Sequence, residues 1–526
     1  MKPPCDEAFI RSATADSPCA PQSGPWILAA VILGSSMAFI DSTVVNVALP
    51  ALQASFHATV VDVQWVVESY GLFLGALILV GGSAGDLFGR RRVFLLGVAI
   101  FAVASAASGV AQSIEQLIIA RAVQGIGAAL LTPGSLAIIS ASFPEQERGR
   151  AIGTWSGFTA MTMAFGPVLG GWLIEHVSWR WIFYINLPLA VAVIVVSLWR
   201  VPESRSSLAK HLDLLGALLV TIGLGGLVYG LIESPRLGWH DPRVIGSLLV
   251  AVACLVGFPF VERKTPSPMV PIQLFRSRSF TGANLLTLFL YSALGIFFFV
   301  FPMNLIQVQH YSATAAGAAA LPLILLMFTL SRWSGGLVTR YGPKLPLVVG
   351  PLIAAAGFVL FALPGVGGSY WTTFFPAFLV LGFGMAVSVA PLTTTVMTAV
   401  DRNYSGTASG INNAVARIAG LLAVAVFGIV MVCAFATRLD HELANANVPA
   451  DVRAKVQSDR TKLAAVELPS DIDPRLSDRP KPVVAEAFVF AFRMVALCCA
   501  GLAIASATTA LRTIDGKNSG PQPAAR

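Results

Sequence analysis

Apolar runs of about twenty residues follow one another along this chain, separated by short breaks of glycine, proline and charge. A helix rising about 1.5 Å per residue needs roughly 20 apolar residues to cross a bilayer. Against that length the pattern predicts fourteen spans. Six lie near residues 26–49, 63–84, 93–111, 114–140, 151–173 and 181–200, a pair near 212–232 and 243–261, and six more near 279–302, 315–333, 345–363, 371–391, 407–433 and 485–508. The parse is six, two, six. The stretch 434–484 is long, charged and punctuated by proline, and within it residues 449–457 have the pattern of a short surface helix.

A second pattern overlies the first. The segment Gly81–Arg92, GGSAGDLFGRRR, closes the second apolar run, and a weaker copy, SGGLVTRYGPK, stands at Ser334–Lys344. Gly342 lies 253 residues after Gly89, and the GTASG of Gly406–Gly410 lies 253 residues after the GTWSG of Gly153–Gly157. Two matched pairs at one offset point to a duplicated membrane unit. The pair between the two sixes explains the length of the offset. The expected organisation is a leader at 1–25, an N-terminal six-helix bundle at 26–200, the inserted pair with its linkers at 201–278, a C-terminal six-helix bundle at 279–508, and a tail at 509–526.

Composition and charge sharpen this. Hydrophobic residues make up 56% of the chain and charged residues 12%, against about 25% charged in soluble proteins. This is an all-α integral membrane protein. The net charge is +8, but the basic residues cluster in short loops on one side, among them Arg90–Arg92, Arg148, Arg150, Arg263, Lys264, Arg340 and Lys344. That asymmetry sets orientation, with the basic loops and both termini in the cytoplasm, and argues against a nucleic-acid partner. The six cysteines form no metal or disulfide framework. No phosphate-binding glycine loop is present, which argues against a self-contained ATP-driven pump.

Five segments carry a resemblance to a known family. GGSAGDLFGRRR is similar to the loop 2–3 signature of the major facilitator superfamily, LIIARAVQGIGAA (Leu117–Ala129) to its helix 4 signature, and GFTAMTMAFGPVLGG (Gly157–Gly171) to its helix 5 antiporter signature. DSTVVNVALP (Asp41–Pro50) and WRWIFYINLP (Trp179–Pro188) resemble the fourteen-helix drug:proton antiporter branch. The resemblance implies two six-helix bundles plus an inserted pair in the inner membrane, exporting lipophilic or amphipathic compounds in exchange for protons by alternating access. It implies no enzyme activity and no cofactor. A periplasmic adaptor is an open partner, and a same-fold transporter of another cargo or a non-transporting sensor are the alternatives.

Candidate site residues follow from both lines. Asp41, Glu68 and Arg121 each fall roughly 8–12 Å inside the predicted spans, on one level in the extracytoplasmic half. Charges in hydrocarbon cost at least about 2.5–3.5 kcal/mol each, so they need partners or water. One carboxylate is expected to pair with Arg121, while burial favours the neutral, protonated form of the other. The plainer readings are that Asp41 bonds a neighbour such as Ser42, and that Arg121 ties backbone carbonyls. Gly82, Asp86, Gly89, Arg90 and Arg91 form the candidate cytoplasmic gate. The resemblance implies that Asp86 latches onto the start of helix 13, near Ser405–Gly410, while the arginines also read as topology determinants. The second copy carries Thr339 in place of Asp86, which implies asymmetric gating. Gly157, Gly166, Pro167, Gly170 and Gly171 form a close-packing stripe, which by resemblance packs across the two halves. Tyr70, Phe73, Asn284, Tyr291, Phe297, Asn412, Asn413 and Arg417 are candidate cavity residues, and Arg493 is a further intramembrane charge.

Overall fold

The computed structural model describes residues 23–205, 212–266, 268–401, 404–445, 460–466 and 480–515. Among these the chain is helical and contains no strand, with fourteen helices long and apolar enough to span a membrane. They are α1 (Gly24–Phe56), α2 (Val60–Phe88), α3 (Arg90–Val110), α4 (Ile114–Ser142), α5 (Glu145–His176), α6 (Trp181–Arg200), α7 (Leu214–Leu237) and α8 (Pro242–Lys264). There follow α9 (Arg278–Met303), α10 (Leu321–Tyr341), α11 (Lys344–Phe361), α12 (Phe375–Thr398), α13 (Ser405–Asn445) and α14 (Pro480–Thr513). A π-helical turn, Asn304–Val308, extends α9.

The helices begin and end for local reasons. At the start of α2, Asp62 Oδ2 accepts from the Thr59 amide at 2.8 Å, and Thr59 Oγ1 accepts in turn from the Asp62 amide at 3.3 Å, a reciprocal cap. Ser113, Ser277 and Ser312 each accept from the amide three residues on, capping α4, α9 and the short helix Ala313–Ala318. Helix α13 runs well past the predicted end at residue 433. Phe435, Leu439 and Leu443, four residues apart, stay buried on one face, and Arg438 pairs with Glu442 at 2.6 Å along its edge. Hydropathy alone sees the polar face and stops too early. The predicted surface helix at 449–457 lies outside the described residues.

Two compact units emerge. The first comprises Met1–Val45, Val66–Leu227 and Leu248–Ile272, and the second Asn46–Trp65, Val228–Ser247 and Gln273–Arg526. The first is built on glycine contacts. A Cβ on Gly127 of α4 would lie 2.6 Å from the Phe101 amide of α3, and one on Gly97 would lie 2.8 Å from the Gly127 carbonyl, so these backbones touch directly. The second is built on aromatic rings. Phe297, Phe301, Phe358, Phe361, Phe374 and Phe378 are all buried, and the Phe297 and Phe361 centroids lie 4.6 Å apart. Phe297 therefore belongs to this core and not to a cavity wall; alternating aromatics on α9, α11 and α12 pack edge to face.

The glycine contact makes a stability prediction. Gly127→Val forces its side chain into the α3 backbone and is expected to cost about 1–3 kcal/mol. Gly246→Ala, where a Cβ meets nothing within 4 Å, is expected to stay within about 0.5 kcal/mol of wild type. Thermal unfolding of the two purified variants in detergent checks the contrast.

Candidate functional site

Asp41 on α1 and Arg121 on α4 are each 1% exposed and form an ion pair, Arg121 Nη1 donating to Asp41 Oδ2. Gln124, one turn after Arg121 on the same face, completes the arrangement. Its Nε2 donates to Asp41 Oδ1 at 2.8 Å and to Ser105 Oγ at 2.7 Å, and its Oε1 accepts from Arg121 Nη1 at 2.8 Å. Arg121 Nε donates to the Val66 carbonyl at 3.2 Å. Asn186 of α6 reaches Ser105 of α3 at 3.1 Å. The Tyr70 ring lies 4.2 Å from the guanidinium carbon, a cation–π contact. Gly125 allows that approach, because a Cβ there would stand 2.5 Å from the Tyr70 carbonyl. Five helices thus converge on one buried charge pair.

Both plain readings of the sequence have a structural answer. Ser42 turns to the Phe39 carbonyl at 3.0 Å, so it is not the partner of Asp41. Arg121 does tie a backbone carbonyl, at Val66, and does so while paired with Asp41. Helix α1 continues past Leu49 to Phe56, so depth counted from residue 49 understates how far Asp41 lies from the helix end. The ion pair itself shows that Asp41 and Arg121 share a level.

Glu68 behaves differently. It is 2% exposed, its Oε2 has no hydrogen-bond partner, and no ion pair reaches it among the described residues. The three charges therefore divide into a satisfied pair and a solitary carboxyl. Tyr70, expected in a cavity, is 4% exposed and belongs to the pair's surroundings.

At the other end of α2 the expected loop shrinks to one residue, Gly89, and Asp86 sits in the last helical turn. Asp86 Oδ1 accepts from Arg90 Nε at 2.9 Å and Nη2 at 2.7 Å. The first amides of α3 are taken by a carboxylate that sequence reasoning missed. Glu203, after α6, is 6% exposed and accepts from the Arg91 amide at 3.1 Å and the Arg92 amide at 3.2 Å. The Arg90 amide donates to the Ser204 carbonyl at 2.8 Å, and Arg91 Nη1 to the Val201 carbonyl at 2.9 Å. Gly89 is required twice: its φ is 112°, and a Cβ would fall 2.7 Å from Glu203 Oε1. Gly82 is less constrained, its Cβ position lying 3.6 Å from Pro133. In the second copy, Thr339 Oγ1 bonds back to the Gly336 carbonyl at 2.8 Å, and no carboxylate stands at that position.

On α5, Gly166 and Gly170 face α1. Cβ atoms there would lie 2.6 Å from Thr43 Oγ1 and 2.8 Å from Val44 Cγ1, beside Asp41 in sequence. Gly171 is buried and Pro167 lies within the helix, whereas a Cβ on Gly157 would meet nothing within 4 Å. In the second unit, Asn412 Nδ2 of α13 donates to Asn284 Oδ1 at 3.2 Å and Thr287 Oγ1 at 2.7 Å on α9. Asn413 is exposed and bonds its own helix at Ser409, and Tyr291, Phe73 and Arg417 are half-buried. Arg493 donates to the Leu363 and Pro364 carbonyls, both at 3.2 Å, just past the end of α11 where the helix dipole is negative.

Fourteen membrane-length helices among the described residues, with a buried charge pair inside one of the two units, define a polytopic membrane protein. The sequence profile of the Major Facilitator Superfamily matches residues 31–424. The chain is 34% identical over 513 residues to the tetracenomycin C resistance and export protein of Streptomyces glaucescens, covering 95% of this chain and 94% of that one. It is 36% identical over 446 residues to the multidrug resistance protein Stp of Mycobacterium tuberculosis, covering 82% and 80%. Among solved structures, a bacterial homologue of the human lysosomal transporter Spinster superposes with a TM-score of 0.64 at 17% identity, over 94% of this chain and 99% of that one. The chain belongs to the Major Facilitator Superfamily.

The Glu203 cap carries its own test. Glu203→Ala leaves two amides at the start of α3 without their acceptor and is expected to cost about 1–2 kcal/mol. Glu203→Gln, which keeps one oxygen acceptor, should lose less. Equal melting of the two variants would show that the carboxylate does not cap the helix.

Proposed function

We propose that this chain exports lipophilic, amphipathic compounds across the inner membrane in exchange for protons, by alternating access between two six-helix bundles, 26–200 and 279–508. Its relatives' names, a tetracenomycin C resistance and export protein and a multidrug resistance protein, support the cargo class. The observation that carries the coupling is the division of the buried charges: Asp41 is neutralised by Arg121, while Glu68 is buried without a counter-charge. A buried carboxyl without a partner is held at least cost as a neutral acid, so it is a natural proton carrier. A cationic substrate competing for the Asp41 carboxylate would loosen Arg121 and change the field at Glu68. Proton entry and substrate exit then become alternatives for one set of charges.

In this reading the Asp86–Arg90 pair and the Glu203 cap stiffen the cytoplasmic end of the first bundle, and Asp86 exchanges partners with the start of α13 as the gate moves. Tyr291, Asn284, Asn412, Asn413 and Arg417 present polar groups from the second bundle to the cargo. The basic loops and both termini face the cytoplasm and anionic lipid. The proton gradient supplies the drive, and no cofactor enters the scheme. The reading leaves room for a periplasmic adaptor.

Asp41→Asn is expected to abolish proton-driven efflux while the protein remains in the membrane. Because it strands Arg121, it should also destabilise the fold, by about 3–5 kcal/mol. The neutral double variant Asp41→Asn/Arg121→Gln should regain stability without regaining transport. Efflux by either variant at the wild-type rate would refute the coupling role. For Glu68→Gln, the pH dependence of efflux should flatten, since the amide cannot exchange a proton. A profile superposable on wild type removes Glu68 from the proton path.

A further inference from the structure

The inserted helices α7 and α8 have no role in the scheme above, yet α7 carries a buried carboxylate. Glu233 is 5% exposed and is the one acidic residue of a helix rich in Leu, Ile, Val and Gly. Its Oε1 accepts from Trp65 Nε1 of α2 at 2.9 Å, and its Oε2 lies 2.8 Å from Arg236 Nη2 one turn further on. One turn back, the Tyr229 ring stands 6.2 Å from the Trp65 ring, tilted at 48°. Two turns below, a Cβ on Gly225 would meet Leu72 of α2 at 3.5 Å. The two helices therefore run antiparallel in contact, and Glu233 supplies the polar fastening. An indole N–H can only donate, and a carboxylate can only accept, so the pair has one sense and one geometry. The ionised acceptor makes it stronger than a neutral hydrogen bond.

Trp65 sits at a consequential place on α2. The next residue is Val66, whose carbonyl receives Arg121 Nε. Glu68 follows three residues after Trp65, and Tyr70, which stacks on the Arg121 guanidinium, five after it. A helix turns about 100° per residue, so rotation of this single turn moves the Val66 carbonyl and the Glu68 carboxyl together. We propose that Glu233 is a positioning residue for the proton-coupling site: by holding the Trp65 indole, it fixes the α2 turn that presents the Val66 carbonyl to Arg121 and orients Glu68. Helix α7 is then a brace for the coupling site through its Glu233–Trp65 contact. Arg236 supplies the counter-charge that lets a carboxylate serve as the brace. This inference rests on the coupling reading of Asp41, Arg121 and Glu68.

The test uses the full-length protein with Trp65→Phe, Glu233→Ala, Glu233→Gln and the double variant Trp65→Phe/Glu233→Ala. Hydrogen–deuterium exchange across residues 60–72, in detergent or nanodiscs, needs no substrate. Trp65→Phe and Glu233→Ala should each raise exchange in this segment. The double variant should raise it no further, and Glu233→Gln, whose amide oxygen still accepts from the indole, should restore most of the protection. Ethidium, a lipophilic cation, serves as the transport probe. Both disrupting variants should slow its efflux roughly tenfold, the size of one charge-assisted hydrogen bond, and change its pH profile. Unchanged exchange in Glu233→Ala, additive effects in the double variant, or Glu233→Gln as damaging as Glu233→Ala would each overturn the proposal. Asp41→Asn, assayed alongside, separates the two ideas. Full coupled efflux by Asp41→Asn defeats the coupling reading, whereas its loss together with wild-type behaviour of the Trp65 and Glu233 variants defeats the brace alone. Absence of ethidium efflux from wild type defeats the lipophilic-cation cargo and leaves the brace to the exchange result.

Discussion

The first unit depends on one buried ion pair in which both carboxylate oxygens and the guanidinium Nε and Nη1 are hydrogen-bonded. A carboxylate and a guanidinium taken out of water lose several kcal/mol each, and their attraction repays this only when the remaining lone pairs and N–H groups are satisfied. Asp41 and Arg121 gain such bonds from Gln124 and the Val66 carbonyl, and Ser105 holds Gln124 in place. The requirement explains why small and polar residues occupy the faces of α1, α3 and α4 that meet there. It also explains Gly125, which lets the Tyr70 segment come close enough to cover the guanidinium. The glycine-rich packing of this unit is the geometric condition for burying the charge.

The arrangement is informative because it is incomplete. The helix whose Val66 carbonyl accepts from Arg121 also carries Glu68, one oxygen of which bonds nothing. A purely structural polar cluster would gain by neutralising or bonding that group, since an unsatisfied buried oxygen is costly. On the coupling proposed above, this unbonded acid is the group that a proton would reach.

Much of this was legible in the chain, for identifiable reasons. Span number and order follow from hydropathy, because a bilayer imposes one length on every crossing helix. Asp41, Glu68 and Arg121 stood out because charge is rare in such runs. Helix ends were less legible: α13 continues to Asn445 on a one-sided apolar face, and α2 continues through Asp86 to Phe88, where averaged hydropathy registers only the charges. Partners across sequence were not legible at all. Gln124 was visible within the quoted helix 4 motif, but nothing local marks it as the second ligand of Asp41. Glu203 follows a proline in a polar break, where a carboxylate is ordinary; only the fold brings it to the amides of α3, 111 and 112 residues away. Phe297 shows the reverse error, since an aromatic on a membrane helix reads equally as wall or core, and ring packing decides for core.

The repeat finally reads as a duplication whose copies have taken different physical solutions. In the first copy the turn after the glycine is fastened by charge: Asp86 to Arg90, and Glu203 to the amides of α3. In the second, Gly342 keeps a positive φ of 74° at the corresponding turn, so the backbone geometry survives, while Thr339 merely bonds its own helix. The cores diverge in the same way, one unit burying an ion pair among glycines and the other stacking phenylalanines, with Asn412, Asn284 and Thr287 as neutral polar contacts. Neutral amide contacts and stacked rings respond little to protons, whereas carboxylates respond directly. On the coupling proposed above, the ion pair and Glu68 of the first unit are the groups that would respond, and α2 joins them along one helix to the Trp65–Glu233 contact.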